Sequence, residues 1–327
     1  MKFRSFGKTS WSVSEISFGA WAIGGGWGEQ DDAESIRTLH RALDMGVNFI
    51  DTAAGYGNGR SERIIARVLR ERGGSEHVYV ATKTPPASPG AWPPSPYDLW
   101  MDRYSETYLR TNIEERLRSL GTETIDLLQL HTWTRAWNRD PRPFAILRTL
   151  QKEGKVRAIG ISTPEHDQNS VIDLMRGGWV DSVQVIYNLF EQEPAAELLP
   201  VALETGTAII VRVAFDEGAL TGKFNEETTF PEGDFRQRYF AGDRIARAAR
   251  RARAIEPDLA GSGLTLAEAA LKFTLAHPAV STVIPGMRRA SQAEANCGVS
   301  DKPDLTPETL VALRKHRWNR GFWYGGK

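Results

Sequence analysis

Apolar positions along this chain change their spacing in a steady rhythm, short runs alternating with longer stretches in which they recur every three to four residues. Residues 16–21 read as a strand ending in Gly19-Ala20-Trp21, and 32–44 carry Ile36, Leu39, Ala42 and Leu43 at helical spacing. Residues 47–51 form a short buried-type strand. Residues 61–72, with Ile64, Ile65, Val68 and Leu69, form an amphipathic helix that Ser61 is placed to cap. The alternation predicts further strands at 78–83, 125–131, 156–162, 183–187, 208–214 and 281–285. Helices are expected at 104–120, 143–153, 166–177, 195–205, 265–276 and 291–298. Residues 1–14, around Gly7-Lys8-Thr9, suit a hairpin ahead of this series.

Eight strand–helix pairs with short returns predict an α/β fold: a closed parallel (β/α)8 TIM barrel, one domain over residues 1–327. An open doubly wound sheet accommodates eight even repeats less well. Three stretches break the rhythm. Residues 84–103, after the third strand, hold six prolines and two tryptophans; residues 215–243 follow the seventh strand; the tail 318–327 holds Trp318, Phe322, Trp323 and Tyr324. Long connections in compact enzymes are commonly lids or binding loops.

Composition narrows the partners. With 41 Lys+Arg against 41 Asp+Glu, the balance argues against nucleic acid or an anionic membrane as the main partner. No apolar run is long enough to span a bilayer, and residues 1–7 lack the apolar core of a signal peptide. The single cysteine, Cys297, excludes an intramolecular disulfide and a multi-cysteine metal site. The expectation is a cytoplasmic protein with a small-molecule partner and no metal.

Barrel chemistry sits at the C-terminal strand ends, which here are Trp21, Asp51, Lys83, His131, Ser162, Tyr187 and Arg212, with Tyr56 just beyond Asp51. A tyrosine hydroxyl titrates near ~10, so it donates a proton poorly near neutrality without help. A buried lysine cation beside it lowers that pKa, and an aspartate keeps the lysine charged and oriented. A histidine beside the phenol polarises a carbonyl or relays the proton. Each residue also has an ordinary explanation: a helix-capping Asp51, a hydrogen-bonded core His131, a tyrosine in a Gly-rich turn. Lys83 at the end of an apolar strand is harder to explain that way, because it needs a partner to offset its desolvation. Four such residues on consecutive strands favour a shared site. From residues alone, a Schiff base on Lys83 is an alternative that leaves Tyr56 and Asp51 without work.

The run Asn48-Phe49-Ile50-Asp51-Thr52-Ala53-Ala54-Gly55-Tyr56-Gly57, with Ala81-Thr82-Lys83 and Ile125-Asp126-Leu127-Leu128-Gln129-Leu130-His131, resembles the aldo-keto reductase family over nearly the whole chain. The resemblance implies a proton-donor Tyr56, a Lys83–Asp51 pair that tunes it and a His131 that orients the carbonyl. It also implies NADPH, or NADH, bound with the nicotinamide in the barrel mouth and the adenosine near strand 8. No strand-Gly-x-Gly-x-x-Gly-helix fingerprint is present, and Gly24-Gly25-Gly26 points to nothing specific.

By the same resemblance Ser162, Thr163 (where the family commonly has Asn) and Gln184 hold the carboxamide, and Tyr187 stacks on the nicotinamide. The loop with Phe215, Gly218, Leu220 and Lys223 folds over the pyrophosphate. The segment with Gly286, Arg288, Gln292 and Asn296 meets the adenosine. Many relatives have Lys-Ser at Gly286-Met287 and arginine at Gln292. Arg288, otherwise a solvated charge, could then grip a 2′-phosphate, favouring NADPH. Trp21 and Trp133 are expected to line the substrate pocket, while Trp92, Trp100 and Trp318 read as packing that holds loops down. The expected function is reduction of an aldehyde, ketone or sugar carbonyl. The alternative is a cofactor-binding regulatory subunit, a role some family members have.

Overall fold

The computed structural model describes residues 1–25, 27–74 and 77–318. A hairpin of β1 (Phe3–Ser5) and β2 (Ser12–Ser14) precedes eight parallel strands paired in chain order. These are β3 (Phe18–Gly19), β4 (Phe49–Asp51), β5 (Tyr79–Thr84), β6 (Ile125–Leu130), β7 (Val156–Ser162), β8 (Ser182–Ile186), β9 (Ala208–Arg212) and β10 (Val280–Val283). Parallel bridges from Ile16 to Val283 and from Gly19 to Gly286 join the first strand to the last. Ser17 N donates to Val283 O at 2.8 Å, and Val283 N donates to Glu15 O at 2.9 Å. The barrel expected from the alternation is therefore the fold. The first strand is shorter than 16–21, its ends being held by these bridges.

Side chains alternate across each strand, and that alternation sorts the barrel into an interior and an outer face. The interior floor is apolar: Phe49, Ala81, Leu127, Ala158, Ala208 and Ile210 pack with Phe6 and Val13 of the hairpin region. Phe6 and Phe49 lie with ring centroids 5.4 Å apart, so the hairpin closes the N-terminal end. Two residues further along the same faces come Asp51, Lys83, Gln129, Gly160, Ser162, Gln184 and Arg212. This polar upper layer is the mouth. The intervening residues, among them Ile50, Leu128, Ile159, Ile161, Val183, Val185, Ile209 and Val211, face the helices.

The eight expected helices are present at Asp32–Asp44, Arg60–Arg72, Glu106–Leu120, Arg142–Lys152, Ile172–Arg176, Leu198–Thr205, Leu266–Leu275 and Ala290–Gly298. The fifth begins as a 3₁₀ turn, Gln168–Val171. Helix Arg60–Arg72 is capped by Gly59 at φ 78°, not by Ser61. The Ser61 hydroxyl instead donates to Ala20 O at 3.1 Å and accepts from Thr52 Oγ1 at 2.8 Å, tying the ends of two strands together. Two helices not expected from the periodicity, Phe235–Tyr239 and Arg244–Arg253, fill the long connection after β9. The second buries only Ile245 and three alanines, a face too weakly apolar to stand out against five arginines. Among the described residues no helix is long and apolar enough to cross a membrane. Of the tail aromatics, Phe322, Trp323 and Tyr324 lie outside the described residues.

Candidate active site

Lys83 is fully buried, and its ammonium donates three hydrogen bonds. They run to Asp51 Oδ2 at 2.6 Å, Thr52 O at 2.8 Å and the Tyr56 hydroxyl at 3.2 Å. Burial opposes the ammonium, but Asp51 and then Tyr56 outweigh it and hold the Lys83 pKa above its ordinary value. Asp51, 2% exposed, receives two more donors on Oδ1: Gln129 Nε2 at 3.1 Å and Gln184 Nε2 at 2.7 Å. A carboxylate held by three donors is fixed in direction. Gly160 makes room for one of them, because a Cβ there would lie 3.0 Å from Gln129 Cγ and 2.4 Å from Ser182 Oγ.

His131 closes the group, its ring centroid 6.0 Å from that of Tyr56, edge-on. Burial, with repulsion from Lys83 and Arg212, holds its pKa well below the ordinary value, so the imidazole is neutral near pH 7. The Tyr56 pKa moves up. Burial raises it, Lys83 pulls it down and Asp51 pushes it up again. Lys83 therefore acts in the direction expected of it but does not outweigh burial. The phenol stays protonated throughout the neutral range, which is the state a proton donor needs.

Other predicted residues fall where alternation puts them. Ser162 and Gln184 are on interior positions. Thr163 shares its face with Ile159 and Ile161, and its hydroxyl donates to Gln184 O at 3.2 Å and Gln168 Oε1 at 3.3 Å, turned into the protein. Tyr187 shares its face with Val183 and Val185. Its ring packs 5.5 Å from Phe273 of the helix layer and 6.2 Å from His277 and is 5% exposed, so it faces the helix layer and not the mouth. Trp133 is likewise corrected: it is fully buried, against Trp137 at 5.1 Å and Phe144 at 5.0 Å, and has no exposed surface to offer a substrate. Trp21 is half-buried beside Tyr56, with centroids 6.4 Å apart.

Trp92 is 51% exposed and stands edge-on to His131 at 4.9 Å, so it borders the site instead of only holding its loop. Arg103 fixes that loop by donating to Pro89 O at 2.7 Å and Ala91 O at 3.0 Å. Trp100 does pack, over the Arg142 guanidinium, and Trp318 packs on Phe190.

The connection after β9 is strained. Val213, Asp216 and Glu217 have φ of 58°, 49° and 54°, a region that side-chain-bearing residues rarely adopt and that clusters at functional sites. Asn188 pins it by donating to Val213 O at 2.8 Å. Leu220 is buried, Phe215 and Gly218 are half-buried, and Lys223 is exposed. Across the mouth, Arg288 Nε donates to Gln30 Oε1 at 2.9 Å and Arg288 Nη2 to Glu29 O at 2.6 Å, while its backbone N donates to Gln292 Oε1 at 2.7 Å. Gly286 is exposed and Asn296 half-buried. Burial, then the Arg236 and Arg289 charges, depress the Arg288 pKa, with Asp234 opposing them. Arg236 is paired with Asp234 at 2.6 Å, and Arg288 and Arg289 are the neighbouring cations.

Residues 15–317 match the model of the aldo/keto reductase family. The chain belongs to that family. Aldo-keto reductase YhdN of Bacillus subtilis is 34% identical over 238 residues, covering 72% of this chain and 69% of that protein. The NADH-specific methylglyoxal reductase of Escherichia coli is 31% identical over 244 residues, covering 69% of this chain and 71% of its own. The glycerol dehydrogenase AKR11B4 of Gluconobacter oxydans superposes with a TM-score of 0.78 at 29% identity, over 96% of this chain and 94% of that one. Aldo-keto reductases are oxidoreductases acting on carbonyl compounds and sugars, generally with nicotinamide cofactors. The Asp51, Tyr56, Lys83 and His131 cluster is this chain's candidate centre for such chemistry. Sequence reading placed Arg212 at a strand end without giving it a role, and it missed Gln129 and Trp92 as members of the mouth. Gln129 and Arg212 were marked by alternation with His131 and Ile210; Trp92 carried no signal.

Proposed function

We propose that this aldo-keto reductase is an NADPH-dependent enzyme that reduces an aldehyde, ketone or sugar carbonyl to the alcohol. The observation that carries the reading is the Tyr56 hydroxyl 3.2 Å from a buried ammonium that Asp51 holds at 2.6 Å. A bound reduced nicotinamide supplies the hydride. Tyr56 gives its proton to the carbonyl oxygen as charge develops there, and the nascent alkoxide is a far stronger base than a phenolate. Lys83 stabilises the phenolate left behind at a point where low dielectric makes its charge count. Neutral His131 keeps one N–H with which to orient the oxygen. Trp21 and Trp92 supply apolar walls beside it.

Ser162 and Gln184, facing inward at the strand ends, are assigned to the carboxamide end. Gly218, Leu220 and Lys223 are assigned to the pyrophosphate, and Gly286, Arg288, Gln292 and Asn296 to the adenosine. Among the described residues the Ser162 hydroxyl makes no hydrogen bond, which leaves it available. The Arg236, Arg288 and Arg289 group favours a 2′-phosphate. The Escherichia coli relative is named NADH-specific, so the choice is tested by turnover with each cofactor; equal or faster use of NADH would refute it.

Tyr56→Phe tests the chemistry. Turnover should fall by roughly two to four orders of magnitude, the range of general acid catalysis, with cofactor affinity unchanged. Wild-type-like rates would sink the mechanism. A regulatory-subunit reading has no feature of the site in its favour, since all four groups are assembled.

A further inference from the structure

Arg212 stands in the upper layer beside the proton-transfer group but has no part in it. It ends β9 on the interior face, following Ala208 and Ile210. Its Nη2 donates to Thr163 O at 3.0 Å and lies 3.5 Å from Glu165 Oε1. Among the described residues Nη1 makes no hydrogen bond, and the side chain is 18% exposed. The guanidinium is close enough for its charge to act on both Tyr56 and His131.

That charge is only partly cancelled. Lys83 has a full counter-charge in Asp51 at 2.6 Å. Glu217 is near Arg212 but 7% exposed, and burial, then the adjacent Asp216, push its carboxyl pKa up to about 8, so near pH 7 it is largely protonated. Asp216 is next to Glu217 on the same loop, and Arg236 acts on Glu217 from helix Phe235–Tyr239. Among the described residues Glu165 is the countercharge within ion-pair reach.

The inference rests on the carbonyl-reductase reading. A nicotinamide whose carboxamide meets the end of β7, and whose hydride reaches a carbon held by Tyr56 and His131, must lie between those two places. Arg212 bonds to one and acts electrostatically on the other. We propose that Arg212 makes the site discriminate between the redox states of the cofactor, holding the reduced dinucleotide more tightly than the oxidised one. The reduced ring is neutral, whereas the oxidised ring carries a positive charge. A guanidinium in a water-poor mouth repels only the second. The phosphate charges are the same in both forms and cancel from the ratio of affinities. The consequence is a site poised for reduction, which favours taking up the reduced cofactor and expelling the spent one.

The test is binding, followed by quenching of tryptophan fluorescence, with no turnover involved. Dissociation constants for NADPH and NADP+ (or NADH and NAD+, whichever pair binds more tightly) are measured near pH 7 for wild type, Arg212→Gln and Arg212→Lys. Wild type should favour the reduced form by about ten-fold, which corresponds to 1.4 kcal/mol. Arg212→Gln should bring the ratio towards one, and Arg212→Lys should keep most of it. An unchanged ratio in Arg212→Gln overturns the proposal even if both affinities fall, because a merely structural role weakens both forms alike. Should that variant not fold, Glu165→Gln gives the converse: removing the countercharge should widen the wild-type preference, and no change overturns the proposal. If wild type binds neither dinucleotide, the carbonyl-reductase reading itself falls, an outcome distinct from wild-type binding without discrimination.

Discussion

Asp51→Asn removes the counter-charge of a fully buried lysine while leaving the shape of the site nearly unchanged. Asp51 holds Lys83 through Oδ2 at 2.6 Å and receives Gln129 and Gln184 on Oδ1. An asparagine keeps one acceptor oxygen for these three donors and adds an NH2 that the Lys83 ammonium cannot accept from and that Gln129 or Gln184 can meet only by flipping its amide. Breaking a buried pair by removing one partner costs about 3–5 kcal/mol, a large share of a typical total of about 5–15 kcal/mol. For a chain of this length that corresponds to a melting temperature lower by roughly 4–7 °C.

The pH dependence separates lost charge from lost packing. In the wild type the Lys83 pKa is raised by Asp51 and Tyr56 against burial. Its stabilising contribution is therefore complete below the unfolded lysine pKa of ~10.4 and is lost only above that range, as pH rises through the folded value. In the variant, burial acts unopposed by Asp51 and lowers the Lys83 pKa. The uncompensated ammonium then destabilises the fold at pH 6.5 and is relieved by deprotonation as pH rises. Thermal melts followed by circular dichroism at pH 6.5 and pH 9.5 should show a deficit that narrows at the higher value. Equal melting temperatures at pH 6.5, or a deficit that does not vary with pH, would refute the assignment of Lys83 as a cation held by Asp51.

His131 and Trp92 give two further expectations. Because the folded-state pKa of His131 is depressed by burial, Lys83 and Arg212, His131 takes up a proton on unfolding below about pH 6.5, and stability falls as pH drops. Replacing it with Gln should shrink the loss of melting temperature between pH 7.5 and pH 5. Wild-type kcat/KM should show no ionisation near pH 6.5, and a limb there would contradict a neutral His131. Trp92→Ala removes a ring that is 51% exposed, so stability should change by no more than about 0.5 kcal/mol, whereas KM for bulky carbonyls should shift several-fold. A large loss of stability with unchanged kinetics would make Trp92 a packing residue.

What could be read in the chain, and what could not, follows from the strand period of two. The barrel, the polar mouth and the set Asp51, Lys83 and His131 come from apolar spacing and from where each strand stops. The same period also carried information about Tyr187 and Thr163. Counting back from Tyr187 through Val185 and Val183, and from Thr163 through Ile161 and Ile159, places both with residues that pack on the helices. Counting back from Arg212 through Ile210 and Ala208 places it inside. A family resemblance marks positions along a chain, whereas alternation decides which side of the sheet a position serves.

Contacts between distant loops were not legible in this way. Trp92 meets His131, and Arg288 meets Glu29 and Gln30, only because connections of irregular backbone fold across the mouth. Such segments have no period to read. The direction of the Tyr56 shift was hidden for a different reason: it is the balance of two opposed effects. Proximity to Lys83 is encoded in neighbouring strands, but the opposing burial depends on how the whole mouth packs. The proton-delivering pair is set by local sequence, and its chemical poise by the assembled barrel.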